Sequence, residues 1–85
     1  MMARVVVYTT QVCPYCVRAK QLLKQKGASF EEVDLTRDHE ARMALVERTR
    51  MRTVPQIFIN DEFIGGCDEL YALERAGELD GRLAA

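Results

Sequence analysis

The chain has 85 residues, with 12 Lys and Arg against 13 Asp and Glu and a net charge of −1. That length suits one domain over residues 1–85 with a modest core. The near-neutral balance gives no general attraction to nucleic acid or to an anionic membrane, the sparse Pro and Gly argue against disorder, and no apolar run is long enough to span a bilayer.

Residues 3–8 read as a first strand. The run Val5-Val6-Val7 has no alternation, which suits a central strand buried on both faces. The same run stops at Tyr8-Thr9-Thr10, too short for the apolar region of a signal peptide, so a reducing cytoplasm is the expected location. Three cysteines in such a compartment point to catalysis or metal binding rather than to a disulfide framework.

A helix follows from Pro14 to about Lys26. Its inward face is Cys16, Ala19, Leu22 and Leu23, its lysines at 20, 24 and 26 form a solvated face, and Gly27 is placed to end it. Ser29 to Asp34 form a second strand anchored by Phe30 and Val33. A strand-helix-strand connection makes strands one and two parallel. Thr36 or Asp38 caps a second helix, roughly Asp38 to Thr49, and His39 in its first turn is a surface residue. The basic run Arg48-Thr49-Arg50-Met51-Arg52 leads directly into Thr53-Val54-Pro55, which keeps an anion-binding role open. Gln56 to Asn60 and Glu62 to Ile64 form a hairpin about an Asn60-Asp61 turn. Gly65-Gly66 breaks the strand, and Cys67-Asp68 opens a helix carrying Leu70, Tyr71, Leu73 and Ala76. Gly77 ends it, and Leu79 and Leu83 dock a last short turn. The order is β-α-β-α-β-β-α, an α/β arrangement with helices on both faces of the sheet.

The stretch Cys13-Pro14-Tyr15-Cys16 sits where the first strand hands over to a helix. The first turn of a helix has unpaired N–H groups and about half a positive charge, which stabilise a sulfur there as the thiolate. A free cysteine titrates near pKa ~8.5, and one in such a setting can fall to roughly 3.5–7.5. Cys13 is placed as the nucleophile, with Pro14 at the first helical position, where a missing N–H costs nothing. Cys16, one turn further in, is placed to attack a disulfide formed on Cys13. A zinc half-site would need a second ligand pair. Only Cys67 and His39 remain, at no metal spacing, so no metal is expected.

Cys13-Pro14-Tyr15-Cys16, Thr53-Val54-Pro55 and Gly65-Gly66-Cys67-Asp68, in this order and spacing, make the chain resemble a glutaredoxin of the small bacterial dithiol type. The resemblance implies a thioredoxin-like fold with a four-stranded mixed sheet. It also implies a glutathione-dependent disulfide oxidoreductase that works as a monomer, with Cys13 as nucleophile and Cys16 as resolving thiol. Glutathione would be reductant and substrate, contacted by Tyr15, Thr53, Val54, Pro55, Gly66, Cys67 and Asp68. The proline would be cis, leaving the Val54 backbone to pair with the glutathione peptide. The helix start at Cys67 and Asp68 would take the α-carboxylate, and the Asp68 side chain the α-amino group. Read on its own, Asp68 is equally well a helix cap, and Cys67 a small buried hydrophobe without a redox role.

Implied partners are disulfide-containing and glutathionylated proteins, ribonucleotide reductase among the family's substrates, with glutathione reductase acting indirectly. Two other readings are a thioredoxin-like protein served by thioredoxin reductase and an iron–sulfur cluster carrier. The glutathione motif at Gly66-Cys67-Asp68 argues against the first, and Cys16 together with Pro14 argues against the second. In one respect the chain departs from the family. Many members carry a lysine three residues before the nucleophile, and here that residue is Thr10; Arg18, Arg42 or Arg52 could supply the cation instead.

Overall fold

A computed structural model describes residues 2–85. Its elements are β1 (Val5–Thr9), α1 (Pro14–Gln25), β2 (Glu31–Asp34), α2 (His39–Thr49), β3 (Gln56–Ile59), β4 (Glu62–Gly65), α3 (Cys67–Arg75) and α4 (Leu79–Ala84). The four strands form one mixed sheet in the order β2-β1-β3-β4. β1 and β2 are parallel, as the intervening α1 requires, and β3 is antiparallel to both β1 and β4. This is the thioredoxin-like fold. Among the described residues, no helix is long and apolar enough to cross a membrane.

The valine run of β1 lies in the middle of the sheet, and its residues feed two cores in alternation. Val5 and Val7 join Ile57 and Ile59 on the face covered by Ala19, Leu22 and Leu23 of α1 and Leu70 of α3. Val6 points the other way, onto Phe58, Leu35 and Leu45 of α2. Period-two alternation therefore operates, but both faces are apolar, so the pattern reads as a continuous run. Phe30, just before β2, packs on the first core and Val33 within β2 on the second. The hairpin turns at Asn60 and Asp61, with φ of 52° and 66°, the left-handed pair that a two-residue connection demands.

Three expectations are adjusted. The last short turn is a helix in its own right, α4. Leu79 and Leu83, four residues apart, are both buried against the first core, and the Leu83 carbonyl accepts the Ala3 N–H at 2.9 Å. The second strand begins at Glu31 rather than Ser29, because ladder pairing with β1 starts at Val6 and Glu31. Finally, two of the three lysines of α1 are not merely solvated. Lys26 meets Glu74 at 2.6 Å and Asp80 at 3.1 Å, tying α1 to α3 and α4. Lys20 meets Glu32 at 3.0 Å, and the same carboxylate oxygen accepts from the buried Thr9 hydroxyl at 2.8 Å. The Thr9 hydroxyl first, and then Lys20, hold the Glu32 carboxyl below its usual range.

Candidate active site

α1 begins where β1 ends, after a four-residue loop, so its N-terminus stands at the C-terminal end of a central strand. Cys13 is the N-cap of α1, in extended conformation, and Pro14 takes the first helical position. Cys13 Sγ accepts the Cys16 N–H at 3.1 Å, using one of the donors that a helix start leaves unpaired. From its other side the Cys13 thiol donates to the Val54 carbonyl at 3.7 Å, which joins the cysteine to the loop before β3.

The two cysteines of the motif differ sharply. Cys13 is half-buried, whereas Cys16 is 1 % exposed. Burial pushes the Cys16 thiol up to about 12, and its hydrogen bond to Cys13 adds to the effect; the Thr10 backbone and the Lys20 charge pull weakly the other way. Cys67 is buried in the first core, and burial raises its thiol also. A free cysteine in that setting behaves as a small hydrophobe.

Beside Cys13 lies an open cavity of about 350 Å³ lined by Tyr15, Met51, Thr53, Val54, Pro55, Cys67, Asp68 and Glu69. The Val54-Pro55 peptide is cis. Tyr15 is 55 % exposed, consistent with a rim position and not with core packing. Gly66 does not line the cavity but backs it. A side chain there would press on the Pro55 carbonyl at 3.2 Å, so the residue has to be small for α3 to approach the cis-proline loop. Gly66 is also the N-cap of α3 and brings no side chain to that end. Asp68 is therefore not the cap. It sits inside the first turn, exposed, and is one of the residues lining the cavity.

Cys13, Tyr15, Thr53, Val54, Pro55, Gly66, Cys67 and Asp68 thus come to one place, from three separate segments. Two lining residues carry no sequence signal of their own. Met51 stands inside the basic run. Glu69 turns back to accept the Gly66 N–H at 2.7 Å, one half of a capping box, visible in the sequence as a Glu three residues after the N-cap. The arginines divide. Arg48 stacks on Phe58 at 4.3 Å and Arg18 lies 5.3 Å over the Tyr71 ring. Arg42 donates to the Arg52 carbonyl at 3.4 Å. None of the three arginines proposed to replace the lysine lines the cavity. His39 is exposed, and among the described residues no cluster of three His, Cys, Asp or Glu could hold a metal.

Comparison with known proteins agrees with this geometry. The family model described as Glutaredoxin matches residues 5–64. A glutaredoxin of Pseudomonas aeruginosa is 52% identical over 84 residues, covering 99% of this chain and 100% of the relative. The chain belongs to the glutaredoxin family. Glutaredoxin 3 of Escherichia coli is 51% identical over 79 residues, covering 93% of this chain and 95% of its own length. Among solved structures, the Brucella melitensis glutaredoxin superposes with a TM-score of 0.88 at 51% identity, over 98% of this chain and 90% of that one. A buckwheat glutaredoxin in complex with glutathione superposes with a TM-score of 0.89 at 36% identity, over 95% of this chain and 76% of that one. As a glutaredoxin the chain is a thiol oxidoreductase with a redox role.

Proposed function

We propose that residues 1–85 act as one glutathione-dependent disulfide oxidoreductase domain that reduces glutathione mixed disulfides and protein disulfides in the cytoplasm, as a monomer. The observation that carries this reading is the cavity joining the Val54 backbone to the start of α3, with Cys13 Sγ 3.7 Å from the Val54 carbonyl. The likeness to a glutaredoxin described as a glutathione complex supports it.

In this mechanism the Cys13 thiolate attacks the glutathione sulfur of a glutathionylated protein. The S–S bond breaks, the protein leaves as a thiol, and Cys13 holds glutathione as a mixed disulfide. A second glutathione thiolate attacks the glutathione sulfur, releasing oxidised glutathione and the Cys13 thiolate. With a protein disulfide, Cys13 first forms a mixed disulfide to the protein. Cys16 loses its proton and attacks Cys13; the bond to the protein breaks, the protein leaves as a dithiol, and two glutathiones reduce the resulting Cys13–Cys16 disulfide, leaving as oxidised glutathione. Electrons come from NADPH through glutathione reductase. Glutaredoxins as a group have potentials of roughly −200 to −230 mV, close to that of the glutathione pool.

The binding roles follow from the cavity wall. Tyr15 flanks the ligand with its ring. Val54 pairs with the peptide backbone, and Thr53 and Pro55 hold that segment in place. Gly66 lets the two walls approach. The N–H groups at Cys67 and Asp68 take the α-carboxylate, and the Asp68 carboxylate takes the α-amino group. Ribonucleotide reductase is a protein disulfide of the class such an enzyme serves. The test is a coupled assay on a glutathione mixed disulfide. NADPH oxidation is expected through glutathione and glutathione reductase; oxidation only through thioredoxin reductase would overturn the reading.

A further inference from the structure

Gln56 is the polar residue in an otherwise apolar strand, Gln56-Ile57-Phe58-Ile59, and it is 2 % exposed. An apolar side chain would suit the strand's packing. A buried amide instead costs about 1–3 kcal/mol unless it is hydrogen-bonded, and here it is bonded at both ends. Its Nε2 donates to the Met51 carbonyl at 2.8 Å and to the Thr53 carbonyl at 3.0 Å. Its Oε1 accepts from the Thr49 hydroxyl at 2.8 Å. Two carbonyls facing one end and a hydroxyl the other set the orientation of the amide.

All three bonds reach into one loop, from the last residue of α2 to the residue before Val54. Met51 and Thr53 are themselves cavity-lining residues. The Thr53–Val54 peptide is trans; the cis bond is the next one, Val54–Pro55. In a planar trans peptide the C=O and N–H point in opposite directions. Holding the Thr53 carbonyl inward on Gln56 therefore turns the Val54 N–H outward, away from the buried amide. Among the described residues that N–H has no hydrogen-bond partner.

We propose that Gln56 is a positioning residue for peptide-backbone recognition: its buried amide clamps the Met51 and Thr53 carbonyls and so aims the Val54 N–H at a carbonyl of the bound thiol peptide. This rests on the glutathione reading above and adds to it the residue that aims the donor. Gln56 touches neither sulfur nor ligand. Its effect is confined to substrates that have a peptide backbone to be read.

The test compares two disulfides in single-turnover reactions with reduced enzyme. One is a glutathionylated peptide; the other is dipyridyl disulfide, which has no peptide bond. Gln56→Met keeps the length and apolar volume but removes every hydrogen bond. It is expected to slow the glutathionylated peptide about tenfold, the scale of one misdirected hydrogen bond, and dipyridyl disulfide less than twofold. Gln56→Glu supplies a second reading. As a carboxylate it faces two carbonyls and cannot donate; protonated, it can donate to one. The ratio of the two rates, which removes any pH effect common to both substrates, is expected to be lower at pH 8 than at pH 6 in this variant and flat in the wild type. Equal slowing of both disulfides, or of neither, would show that Gln56 is only a structural amide. If Gln56→Met does not fold, a flat ratio in Gln56→Glu is enough to reject the proposal. The glutathione reading fails separately if the wild type shows no preference for the glutathionylated peptide over the same peptide carrying a cysteamine disulfide.

Discussion

Two helix starts face the same cavity and are finished in opposite ways. At α1 the cap is Cys13, and its own sulfur takes the Cys16 N–H. At α3 the cap is Gly66, with no side chain, so Cys67 and Asp68 keep their first-turn N–H groups for something from outside. Both ends carry the same partial positive charge. The first directs it to a sulfur of the chain itself, the second to a ligand. The cis-proline loop touches both, through the Val54 carbonyl beside Cys13 and the Pro55 carbonyl against Gly66. A helix terminus is thus a general device whose use is decided by the residue at the cap.

The largest effect should come from the first helix start. Cys13→Ser is expected to abolish disulfide reduction altogether, because a serine hydroxyl cannot form the mixed disulfide on which the exchange depends. Alkylation at pH 6 followed by peptide mapping should label Cys13 well ahead of Cys16 and Cys67. Faster labelling of Cys16 would reverse the assignment of nucleophile and resolver.

One turn further into the same helix the advantages disappear, and Cys16→Ser should separate two activities. Reduction of glutathione mixed disulfides should largely survive, since glutathione resolves them, while reduction of protein disulfides should fall to background. The pH dependence sharpens this. Burial holds the Cys16 thiol up, so at neutral pH it is protonated and only a small fraction reacts. Raising the pH increases that fraction, so the resolving step should accelerate by about tenfold per pH unit while the thiolate remains scarce. In the mixed disulfide the Cys13 contribution is gone, but burial, the larger cause, remains. A resolving rate independent of pH between 6 and 8 would contradict it.

At the second helix start the effect should be smaller and of another kind. Asp68→Ala is expected to raise the KM for a glutathionylated substrate roughly tenfold, within the range of a charge-assisted hydrogen bond, with little change in kcat. Loss of binding common to ground and transition states appears in KM. Unchanged kinetics would leave Asp68 without a ligand.

The contrast also explains what could be read in advance. Cys13, Pro14, Pro55, Gly66 and Asp68 are residues whose special chemistry or backbone freedom marks them wherever they stand, and three short motifs in register were enough to bring the cavity wall together. The central strand was legible for a similar reason, because β-branched residues without alternation suit only a strand covered on both sides. Gln56 was not. It reads as a strand residue, and its importance lies in carbonyls of a loop whose path has no periodicity to betray it. Lys26 was hidden differently, since its partners Glu74 and Asp80 lie far along the chain and only the packing of α3 and α4 delivers them. The independent helix α4 rests on two leucines, too few to separate a helix from a turn by pattern alone.

The smallest effect tests whether the first helix start needs help. Thr10 stands three residues before Cys13, half-buried, with its backbone at the Cys16 thiol. A lysine there would add a flexible ammonium three residues from the nucleophile. At roughly 7 Å from the sulfur in water-like surroundings, one positive charge favours the thiolate by about 0.6 kcal/mol, a little under threefold. Thr10→Lys should therefore raise the alkylation rate of Cys13 at pH 6 by two- to threefold, an effect of about that size. The gain should shrink when ionic strength is raised, because an exposed charge is screened over about 10 Å at 0.1 M salt. Glutathione binding should tighten by a similar factor through the ligand's glycine carboxylate. No gain at low salt would mean that the Cys16 N–H and the α1 terminus already stabilise the thiolate as far as this site allows.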